Sequence, residues 1–145
     1  KIISICRQLN HKIVLLGGRG DNDRAIEITG ATGSKTVNAC GKLTLNESAL
    51  IIKHAAHVIS HDTGLMHIAA AFKKNITSVW GNTIPEFGMT PYFGEHAQGC
   101  RSIIIQNENL KCRPCSKIGY NKCPKKHFRC MHEISEASVL NSVKI

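Results

Sequence analysis

A chain of 145 residues supplies one ordinary hydrophobic core, which excludes an enzyme that works in a cleft between two complete domains. Its composition, 42% hydrophobic and 20% charged, is that of a globular protein, and no apolar run is long enough to cross a membrane. The formal net charge of +9 points to an anionic partner such as a nucleic acid, a phosphorylated substrate or an acidic membrane face. The sequence opens without Met and without a signal-peptide pattern, so we expect a piece of a longer protein.

Strands alternate with helical stretches along the first hundred residues. Residues 12–16 (KIVLL) predict a buried strand, and a short helix is expected to start at Asp23 or Arg24 and to end at Gly30. These elements form one strand, loop and helix unit, and a second unit is expected to follow Val37.

A capping box predicts the start of the next helix, because Thr44 and Glu47 stand three residues apart ahead of an apolar pattern. The apolar residues at helical spacing are Leu45, Ala49, Ile52 and Ala56. Residues 57–60 then predict a strand, residues 65–72 an apolar helix, and residues 76–80 a further strand.

The pattern loosens after Gly81, and a last strand is predicted at residues 102–106, with Ser135 as the cap of a final helix. Strands that alternate with helices over short connections are typical of a doubly wound parallel sheet, whose ligands bind at the carboxyl ends of the strands. We expect one domain over residues 1–145, in which residues 107–145 form a Cys-rich basic segment and the final helix.

The turn between strand 57–60 and the following helix has the features of an anion site. The first N–H groups of a helix are unsatisfied, and the positive end of its dipole lies there. Gly64 leaves this backbone open, Thr63 adds a hydroxyl, and His67 lies one turn along on the same face. Asp62 would repel an anion, so it is better suited to cap the helix or to orient a neighbour. An ordinary helix cap with a half-buried histidine is the alternative interpretation.

Four motifs occur in order, GGRGD at 17–21, GKLTL at 41–45, HDTGLMHIAAA at 61–71 and VWGNT at 79–83. They closely resemble the C-terminal domain of the heptosyltransferase-like family of bacterial glycosyltransferases, and the match covers nearly the whole chain. The Cys-rich stretch at 112–131 also resembles one seen in many members. The resemblance implies an α/β fold, the Rossmann-like C-terminal half of a two-domain GT-B glycosyltransferase.

The resemblance also implies an inverting transfer of heptose, or a similar sugar, from ADP-heptose to a lipopolysaccharide core acceptor. Backbone amides at the helix start would hold the donor diphosphate, and the residues implied there are Asp62, Thr63, Gly64 and His67. A leucine would pack on the base, an aspartate would approach the ribose, and a glycine-containing loop would line the cleft. These residues are Leu43, Asp21, Gly81 and Thr83.

Parts of the family pattern are expected to lie outside this chain. The first strand of the domain and its basic phosphate-binding residue would precede Lys1. The carboxylate that acts as general base would belong to the N-terminal, acceptor-binding domain of the same protein, so we expect no catalytic residue here and no turnover by this chain alone. No cofactor is required. The expected location is cytoplasmic, with peripheral contact at the inner membrane.

Seven of the 19 basic residues lie between positions 111 and 132, a stretch without Asp or Glu. We expect its partner to be an anionic lipid headgroup or a phosphorylated saccharide. The stretch contains four cysteines at a spacing that suits zinc only loosely, with two histidines, His127 and His132, nearby. These thiols could bind zinc, stay reduced or oxidise, and we assign no metal site to Cys112, Cys115, Cys123 and Cys130.

Two other functions fit parts of the sequence. A zinc-ribbon-like nucleic-acid binder would use the basic segment for phosphates and Tyr120 and Phe128 for stacking, but it leaves the first hundred residues without a role. We therefore expect no nucleic acid partner. A noncatalytic nucleotide sensor remains open. Trp80 ends an apolar strand, and a place in the core is favoured over stacking on a base.

Overall fold

The computed structural model describes residues 1–95 and 99–143. The chain divides into two compact units, Lys1–Ile51 and Ile52–Ile145, and each unit has its own parallel sheet. In the part of the chain that is described, no helix is both long and apolar enough to cross a membrane.

The first unit contains a two-stranded sheet and the helices that precede and follow its strands in the sequence. Its elements are α1 (Ile2–Gln8), β1 (Ile13–Leu15), α2 (Asn22–Thr32) and β2 (Thr36–Asn38), and α3 (Leu45–His54) begins within it. Strands β1 and β2 are parallel, with Val14 opposite Val37. Helix α1 was not predicted from the sequence, and the Arg7 side chain joins it to α2 by donating to the carbonyl of Ala31 at 2.9 Å.

Helix α2 runs past Gly30, so the predicted end at that glycine is wrong. Glycine inside a helix costs only about 1 kcal/mol, so Gly30 weakens the helix without ending it, and the Thr32 hydroxyl donates to the Ile28 carbonyl at 2.7 Å in the last turn. The chain leaves the helix at Gly33, whose φ of 64° is a conformation that glycine adopts without steric cost.

The predicted capping box of α3 is confirmed. The Thr44 hydroxyl accepts from the Glu47 amide at 3.3 Å, and the Glu47 carboxylate accepts from the Thr44 amide at 2.7 Å. This hydrogen bond from the backbone holds the pKa of Glu47 below its ordinary value. Ile52 is buried as expected, but Ala56 lies beyond the end of α3, so its assignment to the helix is wrong.

The second unit contains a three-stranded sheet of order β3-β4-β5, in which all strands are parallel. Its elements are β3 (His57–Ser60), α4 (Gly64–Ala71), β4 (Asn75–Trp80), β5 (Ser102–Gln106), α5 (Arg129–His132) and α6 (Glu136–Ser142). The predicted cap of the final helix is confirmed, since Ser135 Oγ accepts from the Ser138 amide at 2.9 Å. The predicted α/β architecture with parallel strands and crossover helices is likewise confirmed.

Strand β4 is the centre of the second unit and is buried from Ile76 to Trp80. The Trp80 side chain has no exposed surface, and its Nε1 donates to Ser78 Oγ at 3.0 Å. The predicted core position of Trp80 is therefore confirmed, and its ring is not available for stacking on a base.

The three parallel strands end at one edge of this sheet, with Trp80 opposite Gln106. The loops that follow β3, β4 and β5 therefore leave from the same edge, which is where ligands of doubly wound folds bind. The loop after β3 carries residues 61–63, and the loop after β4 carries residues 81–83.

Candidate anion site at the start of helix α4

Helix α4 begins without a side-chain cap. Thr63 occupies the cap position with extended backbone (φ −146°, ψ 162°), but its side chain accepts no hydrogen bond from the first turn. Instead its hydroxyl lies 3.1 Å from Ser60 Oγ, and Ser60 in turn donates to the carbonyl of His61. The first-turn amides of Gly64 and Leu65 are thus left without a side-chain acceptor.

This open helix end is accessible. Thr63 and Gly64 are exposed, and a Cβ added at Gly64 would meet no heavy atom within 4 Å. Hydroxyl caps from Thr44 and Ser135 close the starts of α3 and α6, whereas α1, α2 and α5 begin without a side-chain cap, as α4 does. Unsatisfied N–H groups and the positive end of a helix dipole, both in reach of solvent, form an anion-binding arrangement.

The Asp62 carboxylate is held by the neighbouring loop. Thr83 is buried, and its hydroxyl donates to Asp62 Oδ2 at 3.2 Å. Of the two roles expected for Asp62, the structure shows contact with a neighbour and no cap on α4. The contact brings together two of the residues implied for donor binding, and it engages the carboxylate that would otherwise oppose an anion. His67 lies half-buried in the first turn of α4.

Two further histidines contribute to packing. His61 Nδ1 lies 3.0 Å from the Val79 carbonyl, and His57 Nε2 lies 2.8 Å from Thr77 Oγ1. His57 Nδ1 is buried without a partner, and burial lowers the pKa of this imidazole. Both rings therefore bind to β4.

Arg113 is a site residue that sequence analysis missed. Its guanidinium is partly buried and donates to the carbonyls of Gly81, Thr83 at 2.9 Å and Asn107 at 2.6 Å. A further donation reaches Gln106 Oε1 at 3.0 Å. The sequence offered no signal beyond one cation in a basic stretch, because these acceptors are main-chain carbonyls and one side-chain amide.

The Cys-rich segment also packs directly on the loop after β4. The Cys115 amide donates to the Asn82 carbonyl at 2.8 Å, and Asn82 Nδ2 donates to the Tyr120 carbonyl at 2.7 Å. A Cβ added at Gly81 would lie 2.9 Å from Met131 Sδ. Residues 107–132 therefore contact the 81–83 loop at Gly81 and Asn82, in addition to the contacts of Arg113.

Among the described residues, none of the cysteines forms a disulfide. Cys112 Sγ lies 3.8 Å from His127 Nε2, and Cys123 Sγ accepts from the Phe128 amide at 3.4 Å, which lowers the pKa of Cys123. Burial raises the pKa of Cys115 and Cys130. Within residues 1–95 and 99–143, no three His, Cys, Asp or Glu side chains are arranged to hold a metal ion. Zinc binding by these cysteines stays a prediction.

The residues implied for base and ribose binding lie in the first unit. Asp21 is exposed, and its Oδ2 accepts from the Gly18 amide at 2.8 Å. A Cβ added at Gly17 would lie 2.7 Å from the same oxygen, so the glycine leaves room for this turn. Leu43 is half-buried just ahead of the α3 capping box. Their roles toward a nucleotide stay predictions.

The chain is similar to several heptosyltransferases. It is 33% identical over 113 residues to lipooligosaccharide heptosyltransferase 2 of Haemophilus influenzae, and the aligned stretch covers 75% of this chain and 32% of the relative. It is 26% identical over 140 residues to lipooligosaccharide heptosyltransferase 2 of Campylobacter jejuni, covering 93% of this chain and 40% of the relative. The chain thus spans 32% to 40% of the length of these relatives.

Solved structures show the same fold. The ADP-heptose lps heptosyltransferase II of Escherichia coli superposes with a TM-score of 0.72 at 22% identity, over 97% of this chain and 38% of that one. A glycosyl transferase family 9 protein from Veillonella parvula gives a TM-score of 0.68 at 18% identity, with the same coverage. The model of glycosyltransferase family 9 (heptosyltransferase) matches residues 1–122. The chain therefore belongs to glycosyltransferase family 9, the heptosyltransferase family.

Proposed function

We propose that this chain is the donor-binding part of an enzyme that transfers heptose, or a similar sugar, from ADP-heptose to a lipopolysaccharide core acceptor with inversion. The observation that carries the proposal is the uncapped, exposed start of α4 in a member of this family. A diphosphate would occupy the place that a capping side chain leaves open, against the amides of Gly64 and Leu65.

The chemistry required of such a site is stabilisation of the departing nucleotide diphosphate. Backbone N–H groups fixed at a helix start are oriented before the reaction, so they stabilise developing negative charge without reorganising. No metal is needed for this step. The acceptor-binding domain, with the general base that takes the acceptor proton, would be the remaining part of the protein.

We further propose that the enzyme is cytoplasmic and touches the inner membrane through its basic segment. Ile118 is 91% exposed and Tyr120 is 53% exposed, and Lys117 and Lys122 flank them in a stretch without acidic residues. Apolar tips among cations suit an anionic lipid surface. Sedimentation with anionic vesicles, compared with neutral ones, tests the contact, and equal binding to both would contradict it.

The donor site is tested by nuclear magnetic resonance titration of the chain with ADP, UDP, GDP and inorganic pyrophosphate. We expect the amide signals of Gly64 and Leu65 to show the largest chemical-shift changes, because a phosphate there would accept hydrogen bonds from these two amides. Signals from the first turn of α6 serve as an internal control, since Ser135 already caps that helix start. Shifts confined to other segments would contradict the proposal.

The same titration separates the competing functions. A preference for ADP over UDP and GDP supports an ADP-sugar donor, whereas binding of DNA without any nucleoside diphosphate would favour a nucleic-acid binder. A noncatalytic sensor would bind nucleotide but show no sugar transfer when the chain is joined to its acceptor-binding domain. Transfer of heptose from ADP-heptose by that longer protein therefore distinguishes enzyme from sensor.

A further inference from the structure

We propose that Arg113 is a positioning residue for the donor phosphate site, acting through Thr83 on Asp62. This inference rests on the proposed function and extends it to a side chain in the Cys-rich segment. Arg113 does not need to touch the nucleotide, because its contacts are with the loop that holds the Asp62 carboxylate.

The Arg113 guanidinium holds the 81–83 loop against the end of β5. All three of its nitrogens donate: Nε to the Gly81 carbonyl, Nη1 to the Asn107 carbonyl, and Nη2 to the Thr83 carbonyl and Gln106 Oε1. A planar fork with fixed donor directions can join the ends of β4 and β5 in one geometry. A lysine ammonium at the same place has a single nitrogen and cannot reproduce this set.

The Arg113 guanidinium carries a charge that no neighbouring carboxylate neutralises among the described residues. The acceptors around Arg113 are neutral oxygens, and among the described residues no carboxylate forms an ion pair with it. A partly buried cation without a counter-ion leaves positive potential at the carboxyl edge of the sheet. Arg129, in the same basic segment, differs because it pairs with Glu133.

Thr83 connects Arg113 to the anion site. Thr83 is 7% exposed, its carbonyl accepts from Arg113, and its hydroxyl donates to Asp62 Oδ2. If the loop moves, Asp62 loses this partner, and its carboxylate is free to turn toward the amides of the first turn of α4. A carboxylate there would both repel a phosphate and compete for its donors.

The test is a double-mutant cycle on ADP affinity, measured by calorimetry on the chain. Arg113→Met should weaken ADP binding about tenfold or more in the wild-type background. In the D62N background the same substitution should cost less than about threefold, because the repelling carboxylate is absent. Arg113→Lys keeps the positive charge but not the set of hydrogen bonds, so it should still lose most of the affinity that Arg113→Met loses. Arg129→Met, which removes one charge from the same segment, is the matched control and should leave the affinity within about twofold.

If Arg113→Met weakens ADP binding equally in the wild-type and D62N backgrounds, the coupling to Asp62 is overturned. If Arg129→Met weakens ADP binding as much as Arg113→Met does, the effect comes from net charge and not from the position of Arg113. Amide hydrogen exchange without ligand supplies a second measurement, and Arg113→Met should speed exchange at Asn82 and Thr83. If the wild-type chain binds no ADP, the proposed function fails and the donor role of Arg113 falls with it. If ADP binds but Arg113→Met keeps the wild-type affinity, only the inference on Arg113 fails.

Discussion

Replacing Gly64 by proline removes one N–H group from the proposed phosphate site while leaving the helix intact. Gly64 is the first residue of α4, a position where proline is favoured because its missing amide has no intrahelical partner. The preceding residue, Thr63, already has the extended backbone that a following proline requires. A Cβ at position 64 would meet no atom within 4 Å, so the added atoms enter open space.

The expected loss follows from a single hydrogen bond to a charged acceptor. Such a bond contributes about 1.5–3 kcal/mol, which corresponds to a rise of about 10- to 150-fold in the Kd for ADP. Gly64→Ala is the matched control, because it adds a Cβ but keeps the amide. The alanine variant should hold ADP within about threefold and gain about 0.4–1 kcal/mol in free energy of unfolding, since glycine is the more flexible residue in the unfolded chain.

Calorimetric titration with ADP and urea unfolding of both variants make the comparison. The reasoning is refuted if Gly64→Pro binds ADP as tightly as Gly64→Ala while both remain folded. An equal loss in the two variants would instead show that the space above Gly64, and not its amide, matters to the ligand. The first result would remove the open start of α4 as the basis of donor binding, and the second would keep the ligand at this helix start but remove the Gly64 amide as its donor.

Three more outcomes are expected. Burial lowers the pKa of His57 in the folded chain below its ordinary value of 6.5. As the pH falls, the unfolded chain therefore binds the proton before the folded chain does, and the free energy of unfolding decreases below about pH 6.5. His57→Gln should flatten this dependence in urea titrations at pH 5–7, whereas His54→Gln, on the exposed end of α3, should retain it. In EDTA-treated protein, iodoacetamide should label Cys123 at a lower pH than Cys130. A backbone N–H lowers the pKa of Cys123, whereas burial raises the pKa of Cys130. Mass spectrometry that finds Cys130 labelled at the lower pH would refute this expectation. Trp80→Phe should lower the free energy of unfolding by about 1–3 kcal/mol, measured in urea, through the lost indole hydrogen bond and packing volume.

Local signals made the helices and strands near the site predictable. The α3 capping box depends on two side chains three residues apart, so its residues identify it without any tertiary information. Strand β5 was predicted at the bounds observed, Ser102–Gln106, because an apolar run between polar flanks suffices. The end of α2 was misplaced because glycine at position 30 weakens a helix without ending it, and the competing Gly33 lies only three residues on.

The parts that sequence analysis missed depend on contacts distant in the chain. Arg113 is separated by 30 residues or more from the loop carbonyls that it binds, and backbone acceptors carry no residue signature. Helix α1 is also fixed from a distance, through the contact of Arg7 with Ala31. Neither spacing nor charge predicts such contacts, because a guanidinium that binds carbonyls and one that is solvated look identical in sequence.

The open start of α4 depends on keeping two oxygen-bearing side chains away from it. Threonine is a good helix cap, yet Thr63 points its hydroxyl toward Ser60, and Asp62 is engaged by Thr83. Were either side chain to accept from the first turn, the helix would gain about 0.5–2 kcal/mol in stability, and a phosphate would have to displace that acceptor. The chain forgoes this stabilisation at α4 but takes it at α3 and α6. The starts of α1, α2 and α5 lack a side-chain cap too, so the open end of α4 gains its meaning from its place at the carboxyl edge of the β3-β4-β5 sheet, where ligands of doubly wound folds bind.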